Sequence, residues 1–160
     1  MSYGAPDGPH RRRDDTGGVE MSFDEDYMAA WNTGDVDTYC KLFAPDGRYT
    51  DAVMKLTYDG IDEIRRMFES TMMYYQDPQF IHESGFADDR HYAVEWRSIT
   101  VVDGTEYETR VVSIGDLDEN GLITENRDYW DPQSVPNDGS MATDMTAEAE
   151  AYKRRRADRN

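Results

Sequence analysis

Six side chains in this sequence pair a proton-transferring or charge-stabilising group with strand-like spacing. Tyr49 and Asp51 stand two apart in residues 48–53, Glu95 and Arg97 two apart in residues 91–102, and Asp128 two from both Asn126 and Trp130 in residues 122–130; His82 lies in a further extended run, 79–86. Alternate residues of a strand share a face, so each pair projects to one side of its sheet. A carboxylate withdrawn from water among aromatic rings holds its proton more tightly and becomes a better general base near neutral pH. An arginine alongside would keep it ionised or stabilise a developing oxyanion. Other chemistries lack their parts. Cys40 is the only cysteine, which excludes an internal disulfide and a cysteine-built zinc site, and His10, His82 and His91 are too few for a histidine metal centre. There is no Gly-rich phosphate loop, GxSxG elbow or HExxH helix. The expectation is acid/base chemistry with no metal and no cofactor.

The elements that must hold these residues can be read along the chain. Ser22-Phe23-Asp24-Glu25 is a capping box, followed by Phe23, Tyr27, Ala30 and Trp31 on one helical face. Asn32-Thr33-Gly34-Asp35 stops that helix, and Val36, Tyr39, Cys40 and Phe43 mark a second, short one. Ala44-Pro45-Asp46-Gly47 reads as a break, residues 48–53 as a strand, and residues 54–60 as a loop, either a lid or a plain connection. Ile61, Ile64, Phe68, Met72 and Tyr75 recur at helical spacing. Four extended segments follow, at 79–86, 91–102, 105–115 and 122–130, with a hairpin signal at Asp103-Gly104. Helix, helix, strand, helix and four strands predict an α+β fold, with helices packed on one face of a curved, largely antiparallel sheet. Residues 1–21 read as a disordered leader, 22–132 as the domain, and 133–160 as a linker with a basic C-terminal tail.

The chain has 160 residues with 34 acidic side chains against 17 Lys and Arg, a formal charge of −17. Residues 23–132 hold 25 acidic and nine basic side chains, a net −16. So acidic a domain argues against unaided binding to nucleic acid or to an anionic membrane surface. No apolar run reaches the length of a membrane span, so a soluble cytoplasmic protein is the expectation. Most of the acids read as a hydrated coat, of the kind a salt-rich cytoplasm favours.

Several stretches resemble the SnoaL-like branch of the nuclear transport factor 2-like superfamily. They are Tyr27-Met28-Ala29-Ala30-Trp31-Asn32-Thr33-Gly34-Asp35; Phe43-Ala44-Pro45-Asp46-Gly47; Tyr58-Asp59-Gly60-Ile61 leading into Ile64-Arg65-Arg66-Met67-Phe68; Tyr92-Ala93-Val94-Glu95-Trp96-Arg97; and Asn126-Arg127-Asp128-Tyr129-Trp130-Asp131-Pro132. The resemblance spans about residues 22–132. It implies a cystatin-like half-barrel in which three N-terminal helices and a curved sheet enclose an apolar pocket. The superfamily includes polyketide cyclases, ketosteroid isomerase, limonene epoxide hydrolase and non-catalytic modules, so the fold does not by itself choose an activity.

Limonene epoxide hydrolase activates water with an Asp–Arg–Asp triad, a Tyr and an Asn. At the positions that resemble these, this chain has Asp128 for the second Asp, Tyr49 for the Tyr and Asp51 in place of the Asn. Glu95 and Arg97 stand where Arg then Asp would be, so the charged pair is reversed in order. On this resemblance Asp128 is the candidate base, Tyr49 and Arg97 the orienting or oxyanion groups, and Asp51, Glu95 and His82 secondary acid/base groups. Trp31, Tyr58, Phe68, Met72 and Trp130 are the candidate pocket wall. Each has a plainer alternative: an outer-face ion pair for Glu95 and Arg97, a structural pairing for Asp128, a hydrogen-bonded strand residue for His82. The implied activity is cofactor-independent cyclisation, isomerisation, dehydration or epoxide opening on a small apolar, polyketide- or terpenoid-like molecule. The alternative is a non-catalytic ligand-binding or dimerising module. A homodimer through the open sheet face is expected, with Tyr92, Val94, Trp96, Tyr107 and Val111 outward if Glu95 and Arg97 face inward.

Overall fold

A computed structural model describes residues 22–102 and 104–135. The expected leader at 1–21 and residues 136–160 of the expected linker and basic tail lie outside the described residues. Three helices, α1 (Phe23–Thr33), α2 (Val36–Cys40) and α3 (Ile61–Tyr74), pack on one mixed sheet. Its strands are β1 (Phe43–Asp51), β2 (Leu56–Asp59), β3 (Gln76–Ala87), β4 (His91–Val102), β5 (Thr105–Leu117) and β6 (Ile123–Trp130). They lie in the order β2-β1-β6-β5-β4-β3, antiparallel throughout except for the β1–β6 pair, which is parallel. This is the α+β half-barrel anticipated from the element order and the resemblance. Among the described residues no helix is long and apolar enough to cross a membrane.

Two connections differ from the sequence reading. The break expected at 44–47 is a bulge inside β1: register along β6 shifts between Phe43 and Arg48, while the Gly47 carbonyl accepts the Gly60 N–H at 2.7 Å. A side chain at Gly47 would come within 2.8 Å of the Ile123 carbonyl, so glycine lets the bulged strand lie close to β6. The expected loop at 54–60 contains a strand, β2, which pairs back on β1 with Tyr58 opposite Tyr49. The chain reverses there because the Asp51 carboxylate accepts the Met54 N–H at 2.7 Å and Lys55 takes a left-handed φ of 57°.

The helices are fastened by side chains that the sequence put at their ends. Glu25 accepts the Ser22 N–H at 2.9 Å, and Asp35 caps α2 by accepting from Thr38 N at 3.1 Å. At the end of α1 the Asn32 amide engages both backbone groups of Phe80 on β3, donating to its carbonyl at 2.7 Å and accepting from its N–H at 3.1 Å. Replacing Asn32 with Ala strands two backbone groups of Phe80 and is expected to cost about 2 kcal/mol, read as a lower midpoint in urea unfolding with unchanged slope.

The inner face of the sheet is aromatic. Trp31 packs against Tyr39, Phe68, Phe80 and Trp96 with ring centroids 5.0–5.5 Å apart, and Tyr39 stacks on Phe68 at 4.2 Å. Tyr92, Val94, Trp96 and Val111 are buried on this side, so they are not on the open face where a dimer strip was expected. The open face is ionic instead. Arg97 pairs with Glu83 and Glu108, Arg110 with Glu95, and Arg127 with Glu125 and Asp116, around the exposed Val112 and Tyr129.

Candidate active site

A cavity of about 160 Å³ lies between α1, α3 and the inner face of the sheet. Strand alternation delivers its polar groups. Tyr49 and Asp51 enter from β1 and Asp128 and Trp130 from β6, while Ser98 comes from β4 and Thr109 from β5. The parallel register sets Tyr49 opposite Asn126 and Asp51 opposite Asp128, which brings the two carboxylates onto neighbouring strands at one end of the cavity. Trp31, Tyr58, Phe80 and Trp96 supply aromatic wall, and α3 adds Met67 and Thr71.

Asp128 is 3% exposed and is held by donors. Tyr49 Oη–H donates to its Oδ2 at 2.5 Å and Asn126 Nδ2–H to its Oδ1 at 2.8 Å. Ser113, its cross-strand neighbour on β5, is a further polar group beside it that favours the charged form. Ser113 Oγ accepts from Trp96 Nε1 at 2.9 Å and from Tyr27 Oη at 3.2 Å. The Asn126 amide is oriented from behind, because its Oδ1 accepts from the Tyr92 hydroxyl, with Tyr27 Oη, whose one proton it shares with Ser113, 3.4 Å away. Its NH₂ therefore faces Asp128 in the one orientation that satisfies both sides.

Burial raises the Asp128 carboxyl from its ordinary 3.8 to about 6; the bonds from Tyr49, Ser113 and Asn126 oppose that rise and the charge of Asp51 adds to it. No cation figures among these causes. Burial, followed by the Asp128 charge, holds the Tyr49 phenol well above its ordinary value, so it remains a proton donor. Asp51 is also raised by burial, against hydrogen bonds from the Met54 N–H, from Trp130 Nε1 at 3.0 Å and from the Val53 backbone. The result is a desolvated base poised near pH 6, a phenol in contact with it, and a second carboxyl facing the same space.

The structure thus brings together Asp128, Tyr49 and Asp51, with Trp31, Tyr58 and Trp130 on the wall. It does not bring in the others. Glu95 and Arg97 project from the opposite side of β4, where Arg97 is occupied by Glu83 and Glu108; the residue between them, Trp96, is the one that faces the cavity. The carboxylate–arginine–carboxylate cluster suggested by the resemblance is therefore not assembled. His82 sits on the outer part of β3, its Nε2 3.0 Å from Asp24 on α1. Phe68 lies behind the wall, stacked on Tyr39, and Met72 packs against the core beyond the cavity, because α3 presents Met67 and Thr71 to it instead. The sequence reading assigns no site role to Asn126, Ser113 or Tyr27 and places Tyr92 on an expected dimer face. Asn126 was in view through its spacing to Asp128, but the partners that orient it come from α1, β4 and β5 and leave no local pattern.

Three helices over a mixed, open sheet with polar residues at one end of an apolar cavity define the ketosteroid isomerase-like, cystatin-like class of fold. Residues 25–126 match the model of the SnoaL-like domain, and the chain belongs to that family. None of the curated proteins compared matches it in sequence. Among solved structures, a hypothetical protein with a ketosteroid isomerase-like fold from Catenulispora acidiphila, in complex with trimethylamine, is 21% identical with a TM-score of 0.64, over 69% of this chain and 86% of that one. An epoxide hydrolase/cyclase-like enzyme of pyran ring formation in the polyether salinomycin is 21% identical, TM-score 0.59, over 69% and 88%. A protein with a cystatin-like fold from Silicibacter pomeroyi is 19% identical, TM-score 0.61, over 81% and 86%. These likenesses establish the fold.

Proposed function

We propose that the cavity is an active site for cofactor-independent proton transfer on a small molecule with an apolar body, with Asp128 as the general base. The observation that carries this reading is a buried carboxylate, served by the Tyr49 and Asn126 donors and, among the described residues, paired with no Lys or Arg, at the wall of a cavity. Tyr49 holds the ionised form and can pass a proton to a developing oxyanion, and Asp51 is placed to protonate or orient a second atom. The cyclase-, isomerase- and epoxide-opening-type relatives support this class of chemistry. A substrate-independent test is deuterium uptake from D₂O at the α-carbon of small cyclic ketones, followed by NMR. The reading expects uptake that depends on Asp128 and rises through a midpoint near pH 6, the value of the free base. Tyr49→Phe removes a hydrogen bond that favours the ionised base, so that midpoint is expected to move up by about one pH unit.

The second reading is a binding module. It is favoured by the completeness of the bonding around Asp128, which also suits a purely structural acid. Saturable ligand binding with no exchange at any pH would decide for it. Pairing of two copies across the open sheet face is a separate proposal, now centred on Val112 and Tyr129 among alternating charges. Sedimentation at moderate salt is expected to show about twice the 18.5 kDa chain mass, and a clean monomer would overturn it.

A further inference from the structure

The charges around the cavity are one-sided. Asp51 and Asp128 face it from register-paired positions, and among the described residues no Lys, Arg or His lines it. The arginines of the neighbouring strands, Arg97, Arg110 and Arg127, lie on the other side of the sheet, engaged by Glu and Asp partners there. The rest of the wall is largely aromatic, with Trp31, Tyr58, Phe80, Trp96 and Trp130 all contributing rings. Ring faces attract cations and repel anions, and buried carboxylates without a counter-charge are costly, so both features select for the same sign of ligand.

From this we propose that the cavity takes a small organic cation, an amine or quaternary ammonium group, facing Asp51 and the surrounding rings. This deepens the active-site reading above and rests on it for the role of Asp128. Asp51 is the partner of choice because it is the more accessible of the two, 9% exposed against 3%. Its bonds from the Met54 N–H and Trp130 Nε1 fix the carboxylate without supplying any positive charge. Proton transfer from ligand to Asp128 would relocate negative charge without adding any, so an ammonium group held by Asp51 is compatible with that step. The volume suits such a ligand: about 160 Å³ compares with the roughly 150 Å³ that accommodates a single benzene ring.

The test uses three molecules of one shape and different charge: choline, its neutral isostere 3,3-dimethylbutan-1-ol, and the anion 3,3-dimethylbutanoate. Binding is read by tryptophan fluorescence, since Trp31, Trp96 and Trp130 all line the cavity, with NMR titration as a check. Choline is expected to bind about tenfold more tightly than the alcohol, and the anion more weakly than both. Asp51→Asn is expected to remove most of that preference, read as the ratio of choline to alcohol affinity in the variant against that in the wild type. The proposal is overturned if choline does not bind saturably, if the alcohol or the anion binds as tightly, or if Asp51→Asn leaves the ratio unchanged. Its failure is separable from that of the parent reading. Equal binding of choline and alcohol, with ketone exchange still dependent on Asp128, sinks the cation and keeps the base. A choline preference without exchange does the reverse.

Discussion

Asp128→Asn is expected to lower ketone deuterium uptake by about 10²–10⁴-fold and, at pH 8, to raise the melting temperature by a few degrees. The two effects share one cause. A carboxyl held near 6 instead of 3.8 has its charged form destabilised by roughly 3 kcal/mol in the folded chain. The unfolded chain gives up this proton near pH 4 and the folded chain only near 6, so between those values the folded state binds more protons. Stability from this group is full below about pH 4, falls as pH rises to about 6, and stays low above it. Asp51, raised by burial too, acts in the same direction. Asp35, Glu83, Asp88 and Asp118 are lowered by their hydrogen bonds, so their stability terms are lost on acidification below the ordinary carboxylate range, outside this window. Asparagine nearly matches the shape and can still accept from Asn126 while offering its NH₂ to the Tyr49 oxygen. Thermal melts of both proteins at pH 4.5 and pH 8 check the sign: the wild type should lose more stability across the interval than the variant, which keeps only the part that Asp51 contributes. A variant that melts lower at pH 8 would mean that the charge of Asp128 is not a burden on the fold.

The second large effect concerns Gly115. A β-carbon there would overlap the Glu125 carbonyl and stand 2.5 Å from the Tyr92 ring, and the first of these contacts is with backbone that cannot step aside. Glycine at this point on β5 lets the Tyr92 ring lie across the strand and reach Asn126 on β6. Gly115→Ala is therefore expected to cost about 3 kcal/mol or more, enough to remove much of a typical domain's stability. Any folded fraction should also show a displaced Tyr92, and with it a shifted midpoint of the pH–exchange profile, because Asn126 would lose its orienting partner. Circular dichroism melts give the first readout and the exchange profile the second. Ala at Gly104, a left-handed glycine with nothing within 4 Å of the added carbon, should disturb only its turn.

How far the site was legible in the sequence follows from where its contacts run. The helix starts, the α3 periodicity and the four late strands are local patterns, and all appear in the structure. Alternation on β1 and β6 put Tyr49 with Asp51 and Asn126 with Asp128 on common faces, and the register of those strands then aligned the two sets. On β4 the same alternation left two answers. Which of Glu95/Arg97 and Trp96 turns inward is decided by burying an indole in preference to an ion pair, whose desolvation its Coulomb attraction rarely offsets. β2 was hidden because Leu56–Asp59 has only two inward positions, Leu56 and Tyr58, too few to show a period. The bonds that tune Asp128 join residues up to 99 apart, as between Tyr27 and Asn126, and no window of sequence contains them.

The parallel pairing of β1 with β6 also has a meaning in time. Tyr49 and Asp128 are 79 residues apart and belong to the first and last strands of the domain. During synthesis the half of the pocket carried by β1, β2 and the helices is complete while β6 has yet to emerge. Until it does, β1 and β5 are both open edges facing the same gap. Insertion of the last strand closes that gap and installs the base in a single event, so a domain that has acquired its reactive carboxylate is one whose sheet is already whole.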